Sequence, residues 1–335
     1  MSGDFVWRDA GRTVLFRRDG LAQAPQLLQE HGFAPFVLLS TPRALAGAPG
    51  LAAAASAVHE VGPGQVPDLA AGLLPQGGGT ALVALGGGRP IDVAKAVASV
   101  TGAEVATIAT TMSGAEMTGI HRLPAGAESR VKALVRPRLA IADPALMTSR
   151  PERELRFGSI NALAHGADSL YTPFNNPLSE MAALRGSKLI ASALDRDPAG
   201  RDPAPLALGS VLCGYAIDSG MFGLHHVVCQ TLVRVCGSPH AETNAAILPR
   251  AMDFLAARAP GPVVAFAEAI GTDAEDLEPR ILELGGNPPG LEEAGADRVK
   301  LDRAIEAILA RSELAFVPGP PLDRGDIADL IDRAW

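Results

Sequence analysis

Seven histidines occur in the chain, and four of them, His165, His225, His226 and His240, fall in segments of helical texture. Asn161 and His165 stand four residues apart in Asn-Ala-Leu-Ala-His, so both project from one helix face. His226 and Gln230 repeat that spacing in His-His-Val-Val-Cys-Gln, and His240 follows in Pro-His-Ala-Glu-Thr. Imidazole is the side chain that gives or takes a proton near neutral pH. Three imidazoles and an amide around one pocket would orient a polar substrate and stabilise developing negative charge. They would also coordinate a divalent cation, but Asn161 lacks the carboxylate charge that usually anchors one. Taken singly, each is also what a satisfied polar core residue looks like. It is their recurrence on successive helices that points to a site. Of the other histidines, only His121 lies near a candidate loop.

A second set of residues suits a phosphate. Gly86-Gly87-Gly88 lies between an apolar run, Ala81 to Leu85, and a helical stretch from Ile91 to Ala98. Glycines at such a turn let the backbone approach a ligand closely, and the helix that follows offers unpaired N–H groups. Pro90 fits the first helical turn, where no donor is needed. The motif is neither a GxGxxG fingerprint nor a P-loop. Thr110-Thr111-Met112-Ser113-Gly114 follows the next apolar run, so hydroxyls and a glycine sit where open α/β sheets bind ligands.

Two textures must position these groups. Up to about residue 150, short apolar runs alternate with Ala- and Leu-rich helical stretches, the pattern of a parallel α/β sheet. Strands are predicted over Phe36–Ser40, Ala81–Leu85, Val105–Ala109 and Leu139–Ala142. From 151 to 335 the pattern is all-helical, with helices expected over Asn161–Tyr171, Pro177–Leu194, Pro205–Val235 and Leu301–Leu309. An α/β Rossmann-like domain (1–150) followed by an all-helical substrate domain (151–335) is the expected organisation.

Composition excludes several classes. With 335 residues, 47% hydrophobic and 20% charged, the chain has the make-up of a packed globular protein of more than one core. A net charge of −8 without a basic block disfavours a nucleic-acid partner. No apolar run has the length of a membrane helix and no signal peptide is read, so no membrane partner is expected. Cys213, Cys229 and Cys236, odd in number and without CxxC spacing, argue for a reducing cytoplasm and against a structural zinc site.

The motifs together resemble the iron-containing alcohol dehydrogenase superfamily, whose fold is that of dehydroquinate synthase. Leu85-Gly-Gly-Gly-Arg-Pro-Ile-Asp-Val-Ala-Lys95 is similar to the superfamily's GGGS-x-x-D-x-x-K turn. Thr110 to Thr118, Asn161-Ala-Leu-Ala-His165, Gly223-Leu-His-His226 and Pro239-His-Ala-Glu-Thr243 resemble segments of its maleylacetate reductase branch. The resemblance implies NAD or NADP in a cleft between the domains. Gly86, Gly87, Gly88, Thr110, Thr111 and Ser113 would lie along the pyrophosphate, with Asp92 and Lys95 completing the motif. Ser40, Thr41 and Pro42 would lie by the adenosine, uncharged where NAD-using relatives carry Asp. The superfamily's metal positions fall on Asn161, His165, His226 and His240, and Asn in the first place implies a metal-free site. A homodimer is implied as well.

Four positions depart from the pattern: Arg89 for Ser, Met112 for Tyr, Gln230 for a second imidazole, and Asn244 for a last His. Gln230 cannot relay a proton. The leading expectation is a metal-independent NAD(P)H-dependent reductase acting on a carbonyl or an activated double bond of a small molecule. In it Asn161, His165, His226, Gln230 and His240 form the catalytic group. The alternative, drawn from these departures, is a non-redox cyclase, lyase or isomerase on the same scaffold. A silent binding protein and a genuine metal enzyme are weaker readings.

Overall fold

The computed structural model describes residues 9, 11–74 and 81–335. The chain forms two compact units, one ending at Ser149 and one beginning at Arg150.

The first unit runs β1 (Thr13–Phe16), α1 (Gly20–Glu30), β2 (Phe36–Ser40), α2 (Pro42–Ala46), α3 (Pro49–Ala54), β3 (Ala57–Glu60), α4 (Val66–Leu73), β4 (Ala81–Gly86), α5 (Gly88–Thr101), β5 (Val105–Ala109), β6 (Leu139–Ala142) and α6 (Pro144–Met147). Among the described residues the sheet is six-stranded and parallel, in the order β1-β6-β5-β4-β2-β3. Strands β2, β5 and β6 are buried along their whole length, as strands covered by helices on both faces must be. Phe33, Phe36, Leu38, Val83, Leu85, Ile108 and Ile141 lie in one core cluster. All four inner strands match the expected spans, whereas β1 and β3 were not expected. Both are four-residue edge strands with exposed positions, so neither is covered on both faces as the inner strands are.

This order has a functional consequence. From β4 the chain passes through α5 to β5 on one side, while β2 leads to β3 on the other. The winding therefore reverses between β2 and β4, and ligands of open α/β sheets bind at the carboxyl ends of strands at such a reversal. The carboxyl end of β4 is the Gly86–Gly88 turn.

The second unit is helical: α7 (Glu152–Tyr171), α8 (Pro177–Leu194), α9 (Pro203–Gly220), α10 (Leu224–Cys236), α11 (His240–Ala256), α12 (Pro260–Ala269), α13 (Leu277–Leu284), α14 (Leu301–Leu309) and α15 (Arg324–Asp332). The single helix expected over 205–235 is instead two, α9 and α10, meeting at 98°. Met221 adopts φ 60°, a left-handed conformation that ends α9. Gly223 then lies so close to α7 that a Cβ there would collide with the Tyr171 hydroxyl. Cys213, Cys229 and Cys236 are buried and unpaired. Among the described residues no single helix is long and apolar enough to cross a membrane.

Candidate active site

In the α/β unit two loops make one cradle. Gly87 caps α5 without a side-chain hydrogen bond, so the N–H groups of the first turn carry no side-chain cap. Gly86, at φ 154°, has no room for a side chain, since a Cβ there would stand 2.6 Å from Pro90 Cγ. A Cβ on Gly87 would meet Thr111 Oγ1 at 3.0 Å, and one on Gly88 would meet Ser113 Cβ at 3.4 Å. The hydroxyl loop thus lies over the glycine turn, and Thr110 N donates to Gly86 O at 2.9 Å. Bare backbone, hydroxyls and an uncapped helix terminus suit a dinucleotide pyrophosphate. Arg89 is exposed on the first turn of α5.

Other residues expected at the nucleotide are committed to the protein. The fully buried Lys95 ammonium pairs with Asp92 Oδ1 at 2.8 Å and donates to Ala115 O at 3.0 Å and Thr118 Oγ1 at 3.3 Å. Lys95 thus ties the 110–118 loop to α5, with the Asp92 carboxylate beside its ammonium. Ser40, also fully buried, donates to Leu85 O at 2.7 Å and ties the ends of β2 and β4 together. Thr41 Oγ1 caps α2 at Ala44 N, and Pro42 opens that helix.

In the helical unit the imidazoles meet. α7 carries Asn161, His165, Asp168 and Tyr171, all buried, at spacings that keep them along one side of the helix. The rings of His165 and His226 stack at 4.8 Å between centroids, 16° from parallel. His225 lies edge-on to His226 at 4.8 Å and is held by Asn244 Oδ1 at 2.9 Å. His240 opens α11 and is exposed. Gln230 lies one turn beyond His226 on α10, its Oε1 toward the Arg311 guanidinium.

The organising residue is Asp168, which the sequence reading did not single out. Its Oδ2 accepts from His226 Nδ1 at 2.7 Å, from Gly223 N at 3.0 Å and from His226 N at 3.2 Å. Its Oδ1 accepts from the Tyr171 hydroxyl, whose oxygen in turn accepts from Leu224 N at 2.7 Å. Burial alone would raise this carboxyl, but the hydrogen bond and charge of His226 outweigh it and hold Asp168 at about 2. Burial, reinforced by His226 and His225, pushes His165 well below the usual imidazole range, and His225 falls to about 3. Because Asp168 takes the Nδ1 proton, the outward atom of His226 is Nε2. His226 Nε2 and His165 Nδ1 are buried without a hydrogen-bond partner among the described residues. The signal that could have found Asp168 was present: Asn161, His165 and Asp168 fall at 0, 4 and 7 on one helical stripe.

The His165 and His226 rings stack face to face rather than converge, and the nearby carboxylate of Asp168 is consumed by hydrogen bonds. Among the described residues no group of three or more His, Cys, Asp or Glu side chains could hold a metal ion.

Comparison with known proteins gives the class. Residues 157–335 match the Fe-containing alcohol dehydrogenase family, C-terminal. The maleylacetate reductase of Burkholderia cepacia is 32% identical over 271 residues, covering 77% of this chain and 74% of that protein. The crystal structure of maleylacetate reductase from Agrobacterium tumefaciens superposes with a TM-score of 0.84 at 27% identity, covering 100% of this chain and 99% of that one. A putative alcohol dehydrogenase from Ralstonia eutropha JMP134 superposes with a TM-score of 0.87 at 28% identity, covering 100% and 98%. The chain belongs to the iron-containing alcohol dehydrogenase family and is an oxidoreductase. Within that family it stands on the maleylacetate reductase branch, as its motifs led one to expect. An NAD(P)H-dependent reductase is the activity these relatives support.

Proposed function

We propose that the chain is a metal-independent NAD(P)H-dependent reductase of a small carbonyl compound or activated alkene, with His226 as its proton donor. The observation that carries this reading is the Asp168–His226 pair, with Nδ1 bound to the carboxylate and Nε2 left as the outward atom.

Bound NAD(P)H supplies the hydride, two electrons and one hydrogen nucleus, to the electrophilic carbon of the substrate. The chain's residues must bind the dinucleotide, hold the substrate and deliver the balancing proton. Gly86–Gly88, Thr111 and Ser113 provide the cradle for the pyrophosphate. Asp168 accepts the Nδ1 proton of His226 and keeps it there, so a proton that His226 gives up comes from Nε2. His226 then rests in the neutral Nδ1-protonated tautomer that Asp168 already selects. His165, kept neutral by burial, offers Nδ1 as a hydrogen-bonding atom beside it without adding charge. Metal independence is supported by Asn161 in place of a carboxylate and by the stacked rings.

The test is turnover by chelator-treated protein, following NADH or NADPH oxidation with maleylacetate and other oxo acids. Activity should persist after metal removal, and His226→Ala should lower kcat by roughly 100-fold or more, the usual contribution of a positioned general acid. Conversion of substrate without any nicotinamide would overturn the reading in favour of a cyclase, lyase or isomerase.

A further inference from the structure

Gln230 stands where the resembling motif carries a second imidazole, and what it touches is specific. Its Oε1 accepts from Arg311 Nη1 at 3.5 Å and from Nη2 at 3.4 Å. Arg311 comes from a different part of the unit, in the turn between α14 and a short 3-10 segment, Ser312–Phe316. Its other edge is locked: Nε donates to Glu313 Oε2 at 3.0 Å and Nη2 to Glu313 Oε1 at 2.6 Å. The guanidinium lies 5.9 Å over the Phe222 ring, and that ring is 6.3 Å from the ring of His226. The Arg311 side chain is 20% exposed, so it is largely desolvated but reachable.

A guanidinium carries five donors in a rigid fork. Here Glu313 takes the Nε edge with short, charge-assisted bonds. The Nη1–Nη2 edge faces only a neutral amide oxygen, at distances longer than the usual 2.7–3.2 Å of an N–H···O bond. A carboxylate on that edge would make two parallel charge-assisted bonds in place of two long neutral ones. The Gln230 amide would not oppose such an anion, because turning it presents N–H instead of oxygen. An imidazole at 230 would offer one ring nitrogen to the fork instead of an adaptable amide. Glu313 meanwhile fixes the fork's orientation before any ligand arrives, which lowers the cost of binding.

We infer that Arg311, held by Glu313 and Gln230, is the residue that binds a carboxylate of the substrate. This rests on the reductase reading for the reaction but not for the anion site itself. Arg311 is thus a specificity-determining residue, and the substitution of Gln for the second imidazole serves it.

The experiment is calorimetric titration of the whole chain with acetate, succinate, glutarate and levulinate, and with the uncharged succinamide as control. Wild type should bind at least one of the carboxylates saturably and succinamide weakly or not at all. Arg311→Gln should weaken the carboxylate by about 30-fold or more, the loss expected for charged hydrogen bonds. Arg311→Lys, which keeps the charge and loses the fork, should weaken it less. Wild type that binds none of the carboxylates would overturn the inference. So would Arg311→Gln and Arg311→Lys proteins that melt at lower temperature but bind as wild type does, because Arg311 would then be only a latch for its turn. NADH and NADPH titrated into the same samples separate the two readings: carboxylate binding without nicotinamide binding would keep the anion site and sink the reductase.

Discussion

At the scale of single residues, the site turns on one carboxylate. Asp168 answers two backbone N–H groups, an imidazole and a phenol at once. Asp168→Asn keeps the shape but puts an NH2 group where one of those donors points. The substitution should cost about 3 kcal/mol of stability, as leaving buried donors without their charged acceptor does. It should also lower kcat/KM with NAD(P)H by roughly 100-fold through loss of the His226 tautomer. Equilibrium unfolding and steady-state kinetics on the same preparation check both; full activity in the variant would remove Asp168 from the positioning role. Gly87 answers for the other unit. Gly87→Leu would drive a side chain into Thr111, whose Oγ1 lies 3.0 Å from the position of the Cβ. Nicotinamide binding should be lost while the helical unit's carboxylate binding survives, as parallel titrations would show.

At the scale of elements, the break between α9 and α10 decides whether the site exists. Met221 turns the chain out of α9, and Gly223 lets the start of α10 press against Tyr171, where Asp168 accepts its N–H groups. Gly223→Ala should therefore cost roughly 1–3 kcal/mol by overpacking and displace Tyr171 from Asp168. A thermal melt and tyrosine absorbance would report it. This break is also the clearest limit of sequence reading. The run from 205 to 235 is apolar and nearly uninterrupted, and Gly220 and Gly223 alone do not declare a 98° corner. The inner strands, the glycine turn and the imidazole pairs were legible because each is a local pattern. Asp168 was not singled out because a carboxylate on an apolar stripe reads as a surface residue until tertiary contacts bury it. The internal bonds of Lys95 and Ser40 were not legible either, because their partners, Ala115, Thr118 and Leu85, are distant in sequence.

At the scale of the whole molecule, the α/β unit carries one electrostatic liability that pH exposes. In the α/β unit Glu116 is buried with both oxygens unpartnered among the described residues, and burial raises it to about 7 despite Lys95 nearby. A carboxyl raised from 4.5 stays protonated in the folded protein where the unfolded chain has already lost its proton. Its contribution to stability is therefore full below about pH 4.5 and is lost as pH rises toward about 7. Wild type should lose on the order of 3 kcal/mol over that window relative to Glu116→Gln, with the difference flat above it. Denaturant unfolding of both proteins between pH 4 and pH 8 measures this (the range is set by roughly one unit either side of the two values). Parallel curves would mean that Glu116 is charged and satisfied in the fold.

Whether this member of the family uses a nicotinamide dinucleotide is decided by a binding titration. Metal-stripped protein is titrated with NADH and, separately, with NADPH, following fluorescence quenching or heat. Saturable binding in the micromolar range, abolished by Gly87→Leu, is the expected result, and the tighter ligand names the preferred cofactor. Failure of both dinucleotides to bind correctly folded wild-type protein would contradict the proposed function and leave the imidazole site to non-redox chemistry.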